Sequence, residues 1–166
     1  MPISKKKTHV IEIHAGQITT TDLTISLPPT LNFEPFGGYS KIAAVERHHN
    51  TGKIGVAVAK GYGIRNGAVA SSVSHDSHNI IVIGDNDVDM AIAVNEIIRT
   101  QGGYTVVENG KVYETLALPI MGLMSDVGFE NVNEALQRMI QKAHQMGVAS
   151  QIDPFVTLSF LALPVI

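Results

Sequence analysis

The chain runs through short β-branched stretches separated by glycine- and proline-marked breaks before it turns helical. Thr8–His14 sets Val10, Ile11 and Ile13 among polar residues and reads as a strand, and Thr-rich Ile18–Ile25 reads as a second. Leu27–Gly38 carries Pro28, Pro29, Pro35, Gly37 and Gly38 and is expected to be a loop or an edge crossing. Ser40–His49 and Ile54–Ala59 predict a hairpin across Asn50-Thr51-Gly52. Gly61, Gly63 and Gly67 punctuate the next link. Gly67–Val73, small and apolar, and Ile80–Ile83, β-branched, predict buried strands. The period then changes. Asp85 or Asn86 can cap a helix whose Val88, Ala91, Ile92, Asn95 and Ile98 recur at three- and four-residue spacing, and Gly102-Gly103 ends it. Tyr104–Val107 and Lys111–Leu118 flank Glu108-Asn109-Gly110 and predict a second hairpin. Asn131 or Asn133 is expected to open another helix, with Leu136, Met139, Ile140 and Ala143 as its stripe and Gly147 as its stop. Asp153-Pro154 opens a last segment that is apolar to Ile166. This order predicts an α+β fold: a mixed or largely antiparallel sheet of about six to eight strands with two main helices packed on it. One domain over residues 1–166 is expected, with Met1–Lys7 either disordered or an added stretch foreign to the natural protein.

Composition narrows the function classes. The 166 residues hold 15 acids, 12 bases, seven histidines and no cysteine. A disulfide framework or thiolate metal site is therefore excluded. A net charge of -3 gives no electrostatic footprint for nucleic acid, and 5% aromatic residues offer few platforms for bases. Only 16% of the chain is charged while 45% is hydrophobic, which points to surface that something else covers. No apolar run reaches the length of a membrane-spanning helix. The lysines near the start precede no apolar core of a signal peptide, so the expected location is the cytoplasm. The apolar stop Leu161-Ala162-Leu163-Pro164-Val165-Ile166 suggests either a truncated chain or a terminus tucked against the core.

The densest polar cluster is Ser74-His75-Asp76-Ser77-His78-Asn79, between two apolar runs. A rigid scaffold on both sides makes such a loop a typical place for a site. His75 and His78 can ligate a metal, move protons or read a heterocycle, or the loop can simply be a solvated turn. A metal site needs three or four ligands. His75 and His78 would require a further group such as His48 or Asp126, so ligand or interface contact ranks first. Arg47 can hold a carboxylate with its fork of donors. If the strand continues through them, His48 and His49 face opposite sides and at most one joins any site. Asp85, Asp87, Asp89 and Glu96 imitate a calcium loop, but Met90 stands where that loop needs glycine, so an acidic helix start is the better reading. Gly61, Gly63 and Gly67 miss the spacing and context of a dinucleotide loop. Pro119–Asp126 is a Met-rich apolar turn, either packed in the core or adaptable at a binding surface.

Four segments in order, Lys41–Gly52, Gly67–Ile80, Leu118–Asp126 and Asp153–Leu161, resemble blocks of the bacterial adenine deaminases, and the resemblance covers about Val10 to Ile166. It is to the C-terminal domain alone. The resemblance implies conversion of adenine to hypoxanthine and ammonia in purine salvage by a member of the amidohydrolase superfamily. It also implies an upstream (β/α)-barrel, absent here, that carries a binuclear manganese or iron centre and the catalytic groups. Members of that family usually continue a short way beyond the equivalent of Ile166, so the chain is expected to be an excised domain or partial gene product. The expected partners are that barrel, adenine, and possible further copies of the chain. Ser74–Asn79 would face the barrel mouth with Arg47 and His48 beside it, and the isolated chain would be inactive. Two other readings stay open: a binding or oligomerisation module, and a small hydrolase with metal at His75 and His78.

Overall fold

The computed structural model describes residues 7–26 and 38–163. The Leu27–Gly38 connection lies outside them apart from Gly38, and Met1–Lys7 apart from Lys7, which opens the first strand. Among the described residues eight strands form one sheet: β1 (Lys7–Ile13), β2 (Thr20–Ser26), β3 (Tyr39–Val45), β4 (Ile54–Lys60), β5 (Gly67–Ser71), β6 (Ile80–Gly84), β7 (Gly103–Glu108) and β8 (Lys111–Ala117). Their order is β2-β1-β4-β3-β6-β5-β7-β8. The β1–β4 pair is parallel and every other neighbouring pair is antiparallel. The fold is the expected α+β, with the sheet at the upper end of the expected size.

Strand alternation divides the sheet into two faces. Ala68, Ala70, Ile80, Val82 and Val107 pack with Met90, Ala93 and Ile97 of α1 (Asp87–Arg99). Small alanines let that helix lie close. Ile42, Val69, Ile81, Ile83, Val106 and Leu116 pack on the opposite face. There they meet Ala135, Met139 and Ala143 of α2 (Phe129–Gln145), and Phe155 and Leu158 of α3 (Pro154–Phe160). Burial of each such Val, Ile, Leu, Met or Phe side chain stabilises the fold by about 1.5–3 kcal/mol, and of each alanine methyl by less. The third helix was not read from the sequence because seven mostly apolar residues show no clear period. Its start is nonetheless well signed: the Asp153 carboxylate accepts from the Phe155 and Val156 N–H groups, with Pro154 at the first turn. Leu161 and Ala162 pack partly against the core.

The start of α2 corrects the expectation. Gly128 caps it without a side-chain hydrogen bond, and Asn131 instead donates back to the Val127 carbonyl from inside the first turn. The acidic run before α1 is structural. Asn86 is the cap, accepting from the Asp89 N–H, while buried Asp85 accepts from the Asn66 and Gly67 N–H groups. Buried Asp89 accepts from Gly110 in the β7–β8 turn. The glycines at 61 and 63 serve packing. A Cβ at Gly63 would stand 2.5 Å from the Gly147 carbonyl, where the link runs against the end of α2. Tyr62 is buried there and its hydroxyl donates to the Pro154 carbonyl.

Register brings several loops to one end of the sheet. Val45 pairs with Ile54 and Ile80, Ser71 with Ile81 and Tyr104, and Gly103 with Ala117. The connections 46–53, 72–79, 100–102 and 118–128 therefore emerge side by side.

Candidate functional site

Arg47 organises this end of the sheet. β3 stops at Val45, earlier than the polar pattern suggested, because Glu46 turns the chain. Its carboxylate accepts from the backbone N–H groups of His48, His49 and Thr51 and from the Thr51 hydroxyl. These donors, the Thr51 N–H foremost and then that of His49, hold its pKa down at about 2. His48 and His49 thus sit in a turn, both exposed, and the alternation expected of a strand does not apply. Glu46 is not among the residues the sequence pattern marks. Its signal is an acid followed by a Thr five residues on and a turn glycine six residues on.

The half-buried Arg47 guanidinium reaches two other loops. Nε donates to the His78 carbonyl at 2.6 Å and Nη2 to the Met121 carbonyl at 2.8 Å. The Arg47 N–H also reaches the Asn79 side-chain oxygen at 3.4 Å. It was expected to be able to hold a carboxylate, and both guanidinium bonds run to backbone carbonyls instead. Burial draws its pKa down, yet a guanidinium stays charged in a protein. Gly122 lies against it: a Cβ there would be 2.6 Å from Nη2. Ser72, buried, donates to the Gly122 carbonyl and accepts from the Gly103 N–H. Loops 72–79 and 118–124 are thereby locked to each other and to the sheet.

Every residue of the predicted polar loop lies here. The Ser74 carbonyl accepts from the His78 N–H at 2.6 Å, closing a tight turn. The His75 N–H donates to the Ser159 carbonyl of α3 at 3.0 Å, and the peptide bond from His75 to Asp76 is cis. The His75 ring lies over Phe160 at 4.9 Å between centroids and 6.0 Å from the ring of His78. Asp76 and Ser77 are exposed, and His48 Nε2 donates to the Ser77 carbonyl at 2.7 Å. Asn79 is half-buried beside Arg47. Among the described residues, the buried Ser74 Oγ and His78 Nδ1 have no hydrogen-bond partner. Such atoms ordinarily find one, an ordered water included. Between this loop layer and the end of α1 lies a cavity of about 270 Å³ lined by Glu46, Arg47, Asn50, Ile80, Ile97, Ile98, Gln101 and Gly102.

The metal reading finds no support in the donor set. Among the described residues no three His, Asp or Glu side chains gather in a group that could hold an ion. His48 reaches the loop through a carbonyl, and Asp126 is exposed in the neighbouring turn. The arrangement can do something else: it presents imidazoles, hydroxyls and an amide on a rigid polar rim.

Beside the rim, the Met-rich turn departs from core packing. Its carbonyls face inward to Arg47 and Ser72, while Ile120, Met121, Met124, Val127 and Phe129 are exposed.

Residues 17–166 match the family described as the adenine deaminase C-terminal domain. An adenine deaminase of Desulfitobacterium hafniense (strain Y51) is 48% identical over 158 residues, which are 95% of this chain and 28% of the relative. One of Clostridium acetobutylicum is 52% identical over 130 residues, 78% of this chain and 23% of the relative. One of Bacillus subtilis (strain 168) is 44% identical over 169 residues, covering 100% of this chain and 29% of the relative. The chain spans less than a third of the length of these curated relatives. With a matching segment that runs through almost all of the sheet and the whole polar rim, the chain belongs to the adenine deaminase C-terminal domain family.

Proposed function

We propose that this chain is the C-terminal part of an adenine deaminase, which converts adenine and water to hypoxanthine and ammonia, and that its polar rim walls or caps the active site. The observation that carries this reading is the Arg47 clamp, which fixes Ser74–Asn79 and the 118–124 turn as one preorganised surface. Loops held this way can order a substrate without a large entropy cost on binding. Two half-buried imidazoles, His75 and His78, stand in the rim. A purine carries ring nitrogens and an exocyclic amine that such groups can read. Ser77, Asp76, Asn79 and His48 complete the rim.

The binuclear manganese or iron centre of the proposed enzyme belongs to the remainder of the polypeptide, since the donor set here does not fit one. The residues of this chain bind, orient and exclude water. The same reading places the protein in purine salvage and in the cytoplasm. No described helix is long and apolar enough to cross a membrane.

Adenine deamination by the purified 166-residue chain with added manganese tests the division of labour. No loss of adenine absorbance is expected. Manganese-dependent turnover would overturn the reading, because catalysis would then lie within this domain.

A further inference from the structure

Thirteen large hydrophobic residues are exposed among the described residues, and five of them fall within residues 120–129: Ile120, Met121, Met124, Val127 and Phe129. Met121 and Phe129 are 75% and 77% exposed. Isolated exposed hydrophobics are ordinary, but five within ten residues of chain, beside a polar rim, mark an interaction surface. This one is also rigid. Arg47 holds the Met121 carbonyl, Ser72 holds that of Gly122, and Ile120 and Met124 bridge across the turn. A rigid apolar turn suits a fixed partner better than a loop that must be ordered on contact.

The identity of that partner follows from two facts. First, more than two thirds of each relative's length lies outside the part matched by this chain, and the matched family is a C-terminal domain, so most of that length in the relatives lies on the N-terminal side. Second, that length must join through β1. The parallel register pairs Val10 with Val58, which sets Lys7 level with Gly55 near the start of β4. Gly55 in turn pairs with Ala44 at the end of β3. Preceding chain therefore arrives at the same end of the sheet as Arg47, the polar loop and the Met-rich turn, two strands from β3. At about 4.8 Å per strand, that is a separation of roughly 10 Å. The geometry points to the 120–129 turn as the anchor on which the N-terminal part of the same polypeptide docks, seating the polar rim against it. This rests on the reading of the rim as an active-site wall and adds the surface that holds it there. Methionine suits the role because an unbranched thioether adapts its shape to the facing surface.

The methionines are built-in reporters. In the full-length enzyme, dilute peroxide oxidation followed by peptide mass spectrometry reads Met121 and Met124, with buried Met90, Met139 and Met146 as internal controls. Oxidation follows exposure, so Met121 is expected to react about tenfold more slowly in the full-length enzyme than in this chain alone. Equal rates would overturn the docking surface. Should the controls also oxidise in the chain alone, Met121 is compared within the full-length enzyme against the variant Phe129→Glu, which is expected to expose it; unchanged protection in that variant overturns the proposal. Protection that disappears on dilution to the monomer would identify a second copy as the occupant and overturn it too. His75→Ala kinetics separate the two ideas. A protected Met121 with unaffected kinetics leaves the anchor standing and removes the wall. An exposed Met121 with impaired kinetics does the reverse.

Discussion

The contact between Arg47 and Gly122 makes a quantitative prediction for unfolding of this chain. Gly122 adopts a φ of 76°, and a Cβ added there would lie 2.6 Å from Arg47 Nη2. Gly122→Ala should therefore cost twice. The left-handed backbone accounts for about 1–2 kcal/mol. Displacement of the guanidinium forfeits its bond to the Met121 carbonyl, a charge-assisted bond worth about 1.5 kcal/mol at a half-exposed site. The single substitution is expected to destabilise by roughly 2.5–3.5 kcal/mol. In an Arg47→Ala background the clash and the bond are both gone, so the same change costs only the backbone share, about 1–2 kcal/mol. The coupling energy is then about 1.5 kcal/mol, well above the 0.3–0.5 kcal/mol within which independent sites add. Urea unfolding followed by circular dichroism gives the four free energies. In melting temperature the coupling amounts to about 3–6 °C for a domain of this size. Additive costs would show that Arg47 does not clamp the turn.

Two further outcomes follow from the acids. Glu46→Gln should destabilise the chain at neutral pH. The folded carboxylate titrates at about 2, against an ordinary value of 4.5, so its contribution is full above about 4.5 and is lost as pH falls toward 2. The gap between Glu46→Gln and the parent should close over that window in acid unfolding, and a gap constant with pH would contradict the N–H cradle. Asp85→Ala leaves the buried Gly67 N–H without an acceptor, at about 1–3 kcal/mol, while exposed Asn66 can turn its N–H to water, so a loss of roughly 1–3 kcal/mol is expected in the same urea assay. A loss under about 1 kcal/mol would mean the Gly67 N–H finds water as well.

Sheet strands were legible wherever period and punctuation agreed. Asn109-Gly110 marked its hairpin because both residues take positive φ, as a two-residue turn there requires. Asn86 and Gly102-Gly103 likewise bracketed α1. What failed did so for tertiary reasons. Asn131 looked like a cap, yet α2 begins earlier, at Gly128, because Phe129 and Glu130 need only extend a helix already docked by Ala135 and Met139. β3 ends early because Glu46 collects N–H groups from residues after it, a bond pattern that residue types alone do not announce. The polar loop was found from its density of donors, and all of it is at the site. The clamp was half found. Arg47 was singled out for a carboxylate, and its true partners are carbonyls, which every residue has and no sequence pattern can mark. The exposure of Met121 is likewise set by the inward turn of its carbonyl.

The central claim is that the rim shapes the active site of a larger enzyme. Adenine kinetics of the full-length protein carrying His75→Ala test it most directly. Loss of one positioned hydrogen-bonding group predicts a fall in kcat/KM of about tenfold or more, equivalent to about 1.4 kcal/mol, with the fold of the protein retained by circular dichroism. Unaltered kcat and KM would contradict it.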